Sequence, residues 1–505
     1  MQIEPQATAF AKGYARGEAQ VVWTTLVSDL ETPVSAFLKI AGGRPKSFLL
    51  ESVEGGAVRG RYSIIGLEPD LVWRTVNGKA EVNRNARSAG DRFEPCAEPP
   101  LEALRSLIAE SRIDLPELLP PMAAGIFGYL GYDMVRLMEE LPSPNPDPIG
   151  IPDAVLMRPT IVVVFDSVKD ALTIVTPVRP DASVPANVAY ARAGERLSAI
   201  VDALDAPLAH APPSMKAGPL TVWPSSNTTP AEYERMVHAA KEYIAAGDIF
   251  QVVLSQRFEA PFELPPFALY RALRRVNPAP FLYFLDFGDF AVAGSSPEIL
   301  VRVREGTVTI RPVAGTRPRG RTPQEDKALE TALLADPKER AEHLMLLDLG
   351  RNDVGRVSRV STVKVTDQFF IERFSQVMHI VSNVEGELDT KHDALDALAA
   401  GFPAGTVSGA PKVRAMEIID ELEKNKRGLY AGSVGYFSAA GELDSCIILR
   451  TALIKDGTMY VQAGAGIVAD SNPKSEQQEC VDKAKALFRA AEEAKRFASA
   501  ARRGQ

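Results

Sequence analysis

YVQAGAGIVADSNPKSEQQE (residues 460–479) admits two readings of the fold, and choosing between them decides the architecture. Gly464, Gly466 and Ala469 form G-x-G-x-x-A behind a β-rich run, the pattern of a dinucleotide-binding turn in a doubly wound α/β protein. That turn needs a helix opening directly from the glycines, so that free amides can hold a pyrophosphate. Here Asp470-Ser471-Asn472-Pro473 intervenes. The stretch therefore reads as a strand with an unobstructed backbone, followed by a helix capped by Ser471 or Asn472 with Pro473 in its first turn. The short strand-like runs elsewhere then belong to an antiparallel α+β fold.

The helix end of this stretch carries Glu476 and Glu479 on one face, and ERAEHLMLLDLGRND (339–353) repeats the spacing with Glu339 and Glu342. Helical periodicity lines Glu339 and Glu342 up with Met345, Leu346 and Leu349, so carboxylates share a stripe with apolar side chains. Each pair alone also fits a solvated helix face. If both pairs line one cavity, carboxylates ~5 Å apart repel by roughly 3 kcal/mol per pair at an effective dielectric near 20, which a cation relieves. Oxygen ligands with no Cys or His at ligand spacing favour Mg²⁺ over zinc.

The composition narrows the class. A net charge of −8 and the absence of a Lys/Arg block argue against nucleic acid. The stretch RPVAGTRPRGR (311–321) is a Pro- and Gly-rich loop suited to a small anion. Cys96, Cys446 and Cys480 are too few for a disulfide framework, and no run resembles an export signal or membrane span, so a cytoplasmic protein is expected.

Residues 20–177 read as one α+β region of β-rich runs such as SFLLES, YSIIGL and TIVVVFDSV, with PLEALRSLIAES helical. Residues 178–228 are rich in Pro, Ala and Ser around a helical stretch and read as a linker. A second region, 229–490, opens with a helix capped by Thr229 and contains the hairpin-like FLYFLDFGDFAVAGSSPE. FPAGTVSGAPK (402–412) fails as a phosphate loop, because Pro411 separates the last glycine from Lys412. His379 lies in an apolar strand-like run, and His343, beside Glu342, could orient a carboxylate.

Taken together, GDIFQVVLSQRF (247–258), GSSPE (294–298), RPVAGTRPRG (311–320), the Glu339 segment (336–357), VMHIVSNVEG (377–386), FPAGTVSGAPK and AGAGIVADSNPKSEQQE (463–479) resemble the chorismate-utilising enzyme family, on the branch of the anthranilate synthase large subunits. The resemblance covers 229–490, and LLES (49–52) with RYSIIG (61–66) extends it toward the N-terminus. It implies two interwoven domains with large, mainly antiparallel sheets. It further implies that Glu339, Glu342, Glu476 and Glu479 hold Mg²⁺, and that Gly464, Ala465, Gly466, Gly315, Thr316, Tyr430, Arg450 and Lys483 bind chorismate. Glu298 corresponds to the acid that protonates the departing ring hydroxyl, His379 to the group acting in pyruvate elimination, and Thr406 to a further catalytic position. Gln251 stands where isochorismate-forming relatives have a lysine that activates water, and Ala314 where aminodeoxychorismate-forming relatives have a nucleophilic lysine. Both favour attack by ammonia at ring carbon 2. No glutaminase-like segment is legible, so the resemblance implies a separate glutamine amidotransferase subunit in a heterotetramer. Leu50, Glu51, Ser52, Pro280, Phe281, Leu282, Val434 and Tyr436 match the family's tryptophan feedback site. There Glu51 is expected to meet the amino group. Competing readings are an aminodeoxychorismate synthase, a nicotinamide-dependent oxidoreductase and a non-catalytic tryptophan sensor.

Overall fold

The structure is a computed structural model that describes residues 1–54, 58–87, 92–208, 224–374 and 377–499. The opening stretch resolves as a strand, Thr458–Ile467, paired antiparallel with Gln251–Pro261 so that Ser255 faces Gly464 and Val253 faces Gly466. The helix begins only at Pro473. Gly464 is required by close approach, since a Cβ there would lie 2.7 Å from the Leu254 carbonyl oxygen, while one at Gly466 would lie 2.5 Å from Gln251 Nε2 and displace that side chain. The glycines thus serve a sheet, and nothing here cradles a pyrophosphate.

Hydrogen bonding runs continuously from Thr458–Ile467 through Thr451–Lys455, Phe290–Ser296, Phe281–Asp286, Ser47–Glu54, Val58–Val76 and Ala154–Asp166. From there it passes to Gly125–Leu130, Ser433–Ser438, Leu443–Ile447, Ile299–Arg304, Thr307–Ile310 and Val377–Glu387. All of these pairings are antiparallel. Four consecutive N-terminal strands sit between two blocks of C-terminal strands along the path, so the two halves share one sheet and neither pairs its strands alone. The limbs face one another across Phe48, Phe127 and Tyr436, whose rings stack at 4.7 Å and 5.3 Å between centroids.

The reading of 178–228 as a linker needs correction over its described part. Ala186–Asp205 is a helix whose Ala189, Ala193, Leu197, Ile200 and Leu204 are buried at helical spacing in the same cluster as Leu49, Ile65 and Phe284. Burying each of its large aliphatic side chains contributes about 1.5–3 kcal/mol, so this segment is part of the body. Residues 209–223 lie outside the described residues. Thr229 caps Pro230–Ala246 in a capping box with Glu232, as its sequence predicts. The last helix, Pro473–Ser499, buries Cys480, Ala484, Leu487, Ala491 and Ala494 as one stripe. That stripe fixes the helix rotation and carries Glu476, Glu479 and Lys483 to the mouth of a cavity.

Candidate active site

One cavity of about 430 Å³ collects Gln251, Glu298, Ala314, Gly315, Thr316, Glu339, Glu342, His379, Thr406, Tyr430, Arg450, Gly464, Gly466, Glu476, Glu479 and Lys483. Ala465 is the exception among the expected residues. It lies one step along the strand, so its side chain turns to the other face, where it is fully buried with Leu254 and Ile467.

Glu298 ends the turn after Phe290–Ser296 and is buried. Burial pushes its carboxyl up to about 8, against the opposing pull of a hydrogen bond from Thr406, the Val313 amide and the charge of Arg450. The Thr406 hydroxyl donates to Oε1 at 3.1 Å. Glu298 is therefore a proton carrier at neutral pH. Arg450 holds a left-handed backbone (φ 48°) uncommon for a side chain, and burial lowers its affinity for its proton. Because its neighbour Glu298 is neutral, the guanidinium presents an unmatched positive charge to the cavity.

His379 stands on the strand Val377–Glu387. Its Nδ1 lies 2.8 Å from the Gly315 carbonyl oxygen and 3.2 Å from Thr316 Oγ1. A carbonyl only accepts, so Nδ1 carries the proton and Nε2 keeps a free lone pair. Nε2 is buried without a protein partner. Burial depresses the imidazole to about 4, against the pull of the Gly315 carbonyl, so the ring is neutral at pH 7. Gly315 has φ 68°, and a Cβ there would sit 3.0 Å from Glu339 Oε2. Only glycine aims that carbonyl at the histidine without strain. A neutral base and a protonated acid thus share one cavity, set apart by their surroundings.

Gln251 donates from Nε2 to Glu342 Oε1 at 3.2 Å, while its Oε1 is buried with no partner. His343 does not orient Glu342: its Nε2 meets Ser382 Oγ at 2.6 Å in the core. The helix Pro337–Gly355 is capped by Asp336, which accepts from the Lys338 and Glu339 amides. Burial, then the nearby Glu339 charge, raises the Glu342 carboxyl; burial, with a smaller push from Glu479, raises Glu476. Glu339 pairs with Arg317 at 2.7 Å and Glu479 with Lys483 at 2.7 Å. Among the described residues no three acidic, His or Cys side chains gather tightly enough to enclose a metal ion. The donor set is all carboxylate, and Glu342 and Glu476 are half-buried, with Lys483 near both but no close ion pair to either among the described residues. This chemistry fits a hard divalent cation that would draw the two pairs together.

Several contributors were not singled out by sequence. Arg317, within the RPVAGTRPRG stretch, ties Glu339 to Asp336. Lys338 reaches Asp470 at 3.1 Å, linking the two glutamate elements. Arg427, 1% exposed at its side chain, donates to the Val407 and Val253 carbonyls at 2.7 and 2.6 Å and pairs with Glu423. Its guanidinium lies 4.9 Å from the Tyr132 ring centroid and 5.4 Å from that of Tyr430, so a buried cation braces the wall formed by Val253, Val407 and Tyr430. Its context, ELEKNKRGLY (421–430), is charged and gives no sequence signal of a buried arginine.

A second cavity, of about 660 Å³, is lined by Leu50, Glu51, Ser52, Pro280, Phe281, Leu282, Val434 and Tyr436, all the residues expected to form an inhibitor site. The register Ser52–Phe281–Ser296 places Leu50, Glu51, Ser52, Phe281 and Leu282 on neighbouring strands, and Val434 and Tyr436 come from Ser433–Ser438 in another part of the sheet. The expected role of Glu51 needs correction. Its carboxylate is already matched by Arg274 at 2.6 and 2.9 Å and receives the Tyr270 hydroxyl at 2.5 Å. It is therefore not a free counter-charge.

A profile of the chorismate binding enzyme family matches residues 61–489. The chain belongs to the chorismate binding enzyme family. Anthranilate synthase component 1 of Cereibacter sphaeroides is 57% identical over 98% of this chain and 99% of its own length. That of Aquifex aeolicus is 47% identical over 93% and 94%. The solved structure of anthranilate synthase component I from Streptococcus pneumoniae TIGR4 superposes with a TM-score of 0.74 at 38% identity, covering 92% of this chain and 98% of that one. In this chorismate binding enzyme no helix among the described residues is long and apolar enough to cross a membrane. The strand position of Gly464 and Gly466 disposes of the oxidoreductase reading.

Proposed function

We propose that the chain is the chorismate-utilising component of an anthranilate synthase, converting chorismate and ammonia to anthranilate, pyruvate and water as the entry to tryptophan biosynthesis. The observation that carries this reading is the pairing of a protonated Glu298 with a neutral His379 beside the unmatched Arg450 guanidinium. Arg450 and Lys483 suit the two carboxylates of chorismate, and Arg450 can engage one through two parallel hydrogen bonds. Ammonia forms a bond to ring carbon 2 as the ring-4 hydroxyl departs. Glu298 gives that hydroxyl its proton, water leaves, and the new ammonium returns a proton, giving 2-amino-2-deoxyisochorismate. Gln251 cannot act as a base, but its unpartnered Oε1 can accept an N–H of the incoming ammonia. His379 Nε2 then removes the carbon-2 proton. The enol ether C–O bond breaks, the ring becomes aromatic, and the proton ends on the methylene carbon of the departing pyruvate. Ala314 at the cavity wall offers no nucleophile, which supports 2-amination over the aminodeoxychorismate reaction.

Glu339, Glu342, Glu476 and Glu479 would hold Mg²⁺, which when bound supplies a Lewis-acidic anchor for the ring carboxylate. The partner is a glutamine amidotransferase subunit, with a heterotetramer as the assembly and tryptophan as feedback inhibitor in the second cavity. Free cysteines at 96, 446 and 480 support a reducing, cytoplasmic setting. The test is the purified chain with chorismate, Mg²⁺ and ammonium, followed by anthranilate fluorescence and product chromatography. Glutamine should serve only once the partner is added. Accumulation of a 4-amino product, of isochorismate, or of nothing at all refutes the assignment.

A further inference from the structure

The reaction cavity and the second cavity share two wall residues, Pro297 and Val313. Between the two cavities the chain alternates. Glu298 faces the reaction cavity and its neighbour Ile299 faces the second one, as successive side chains of extended backbone must. Glu298 is held on both sides of this wall. Its carbonyl accepts from the Ile447 amide at 3.0 Å, and its carboxyl is held by the Val313 amide and Thr406. Ile299 stands opposite Cys446, which also lines the second cavity, and the register slips between Ile299 and Arg302. Such an irregularity bends the strand locally and can re-aim a side chain. From the other direction Ser52 and Phe281 pair across to Ser296, one residue before Pro297.

We propose that Ile299, Pro297 and Val313 are positioning residues for Glu298, and that an occupant of the second cavity inhibits by pressing on them and withdrawing the proton donor. The proposal rests on the tryptophan reading given above. The wall is thin and largely dry, with Ile299 and Glu298 adjacent in sequence and each 6% exposed, so a shift of Ile299 moves the backbone that carries the acid. Tryptophan must favour the arrangement with the acid misaligned and chorismate the aligned one, and the coupling is reciprocal. On the reaction side the charge acting on Glu298 is that of Arg450, and His379, Tyr430, Lys338, Lys483 and the four glutamates line the same cavity. Beyond the wall, Arg302 pairs with Asp444 at 3.2 Å and Arg311 with Glu372 at 3.3 Å. Arg304 shares Asp444 with Arg302 at 3.4 Å, so each of these guanidinium groups is engaged by a carboxylate, and displacement of the carboxyl is the proposed route of communication.

The test separates binding from coupling in the full chain. Tryptophan affinity is measured by calorimetry, and inhibition by the ammonium-dependent assay, for the parent and for Ile299→Ala. Ile299→Val serves if the alanine variant fails to fold. The wall variant should keep tryptophan affinity within about threefold while the mutual effect of tryptophan and chorismate falls at least about tenfold, or about threefold for Ile299→Val. In the parent, bound tryptophan should displace the alkaline limb of the residual activity. Loss of inhibition only in proportion to lost tryptophan affinity, or an alkaline limb indifferent to tryptophan, overturns the proposal. No heat of tryptophan binding to the parent instead removes the inhibitor-site reading on which it rests, and the proposal with it.

Discussion

Replacing Glu298 with glutamine should disable the enzyme and make it more stable, by an amount that grows with pH. The carboxyl is raised from 4.5 to about 8 because burial disfavours its charged form. Below about 4.5 it is neutral folded or unfolded and contributes no pH dependence. As pH rises through that value the unfolded chain ionises while the folded chain holds its proton, so stability is progressively lost until about 8, where the folded group ionises too. At 1.36 kcal/mol per pH unit, the interval from 4.5 to about 8 corresponds to at most about 5 kcal/mol. Glutamine keeps the size and cannot ionise. Urea or thermal midpoints of parent and Glu298→Gln, compared between pH 5 and 8, should diverge in favour of the variant. Its turnover should fall by about 10²–10⁴, the usual range for losing a general acid. In the parent, kcat/KM at constant free ammonia should decline tenfold for each pH unit above about 8 and should also decline as pH falls through about 4, where His379 takes up a proton. A stability difference that is flat with pH, or that favours the parent at pH 8, would show that Glu298 is ionised and cannot be the acid.

His379→Ala should spare the first step better than the second, so that chromatography finds 2-amino-2-deoxyisochorismate; equal loss of the intermediate and of anthranilate contradicts the assignment of Nε2 as the second-step base. Glu342→Gln should abolish turnover, and EDTA should do so reversibly on Mg²⁺ addition, whereas full activity in EDTA refutes the metal reading. Ser52 donates to the Tyr62 carbonyl at 3.0 Å and lines the second cavity, where the ring of Ser52→Phe would take up space. It should raise the tryptophan concentration for half-inhibition at least about tenfold, and unchanged inhibition would place the inhibitor elsewhere.

What the residues determine by local chemistry was legible along the chain. Asp470-Ser471-Asn472-Pro473 forbids a helix opening from the glycines, and this alone removes the dinucleotide fold. Helical spacing pairs Glu339 with Glu342 and Glu476 with Glu479, and the Thr229 box starts its helix where expected. The same local logic failed where packing from elsewhere intervenes. The helical stretch within 178–228 is legible, but its Pro- and Ala-rich context conceals that it packs in one cluster with Leu49 and Phe284 and so belongs to the body. Ala465 was grouped with its glycines although the pleat turns it into the core. Glu51 looked free until the fold brought Arg274, distant in sequence, against it. Protonation states belong to this second class. Glu298 and His379 are an ordinary carboxyl and an ordinary imidazole in the sequence. The acid and the base arise because segments around residues 298, 315, 379, 406 and 450 close over them and exclude water. Desolvation depends on everything that surrounds a group, so only the tertiary structure decides it.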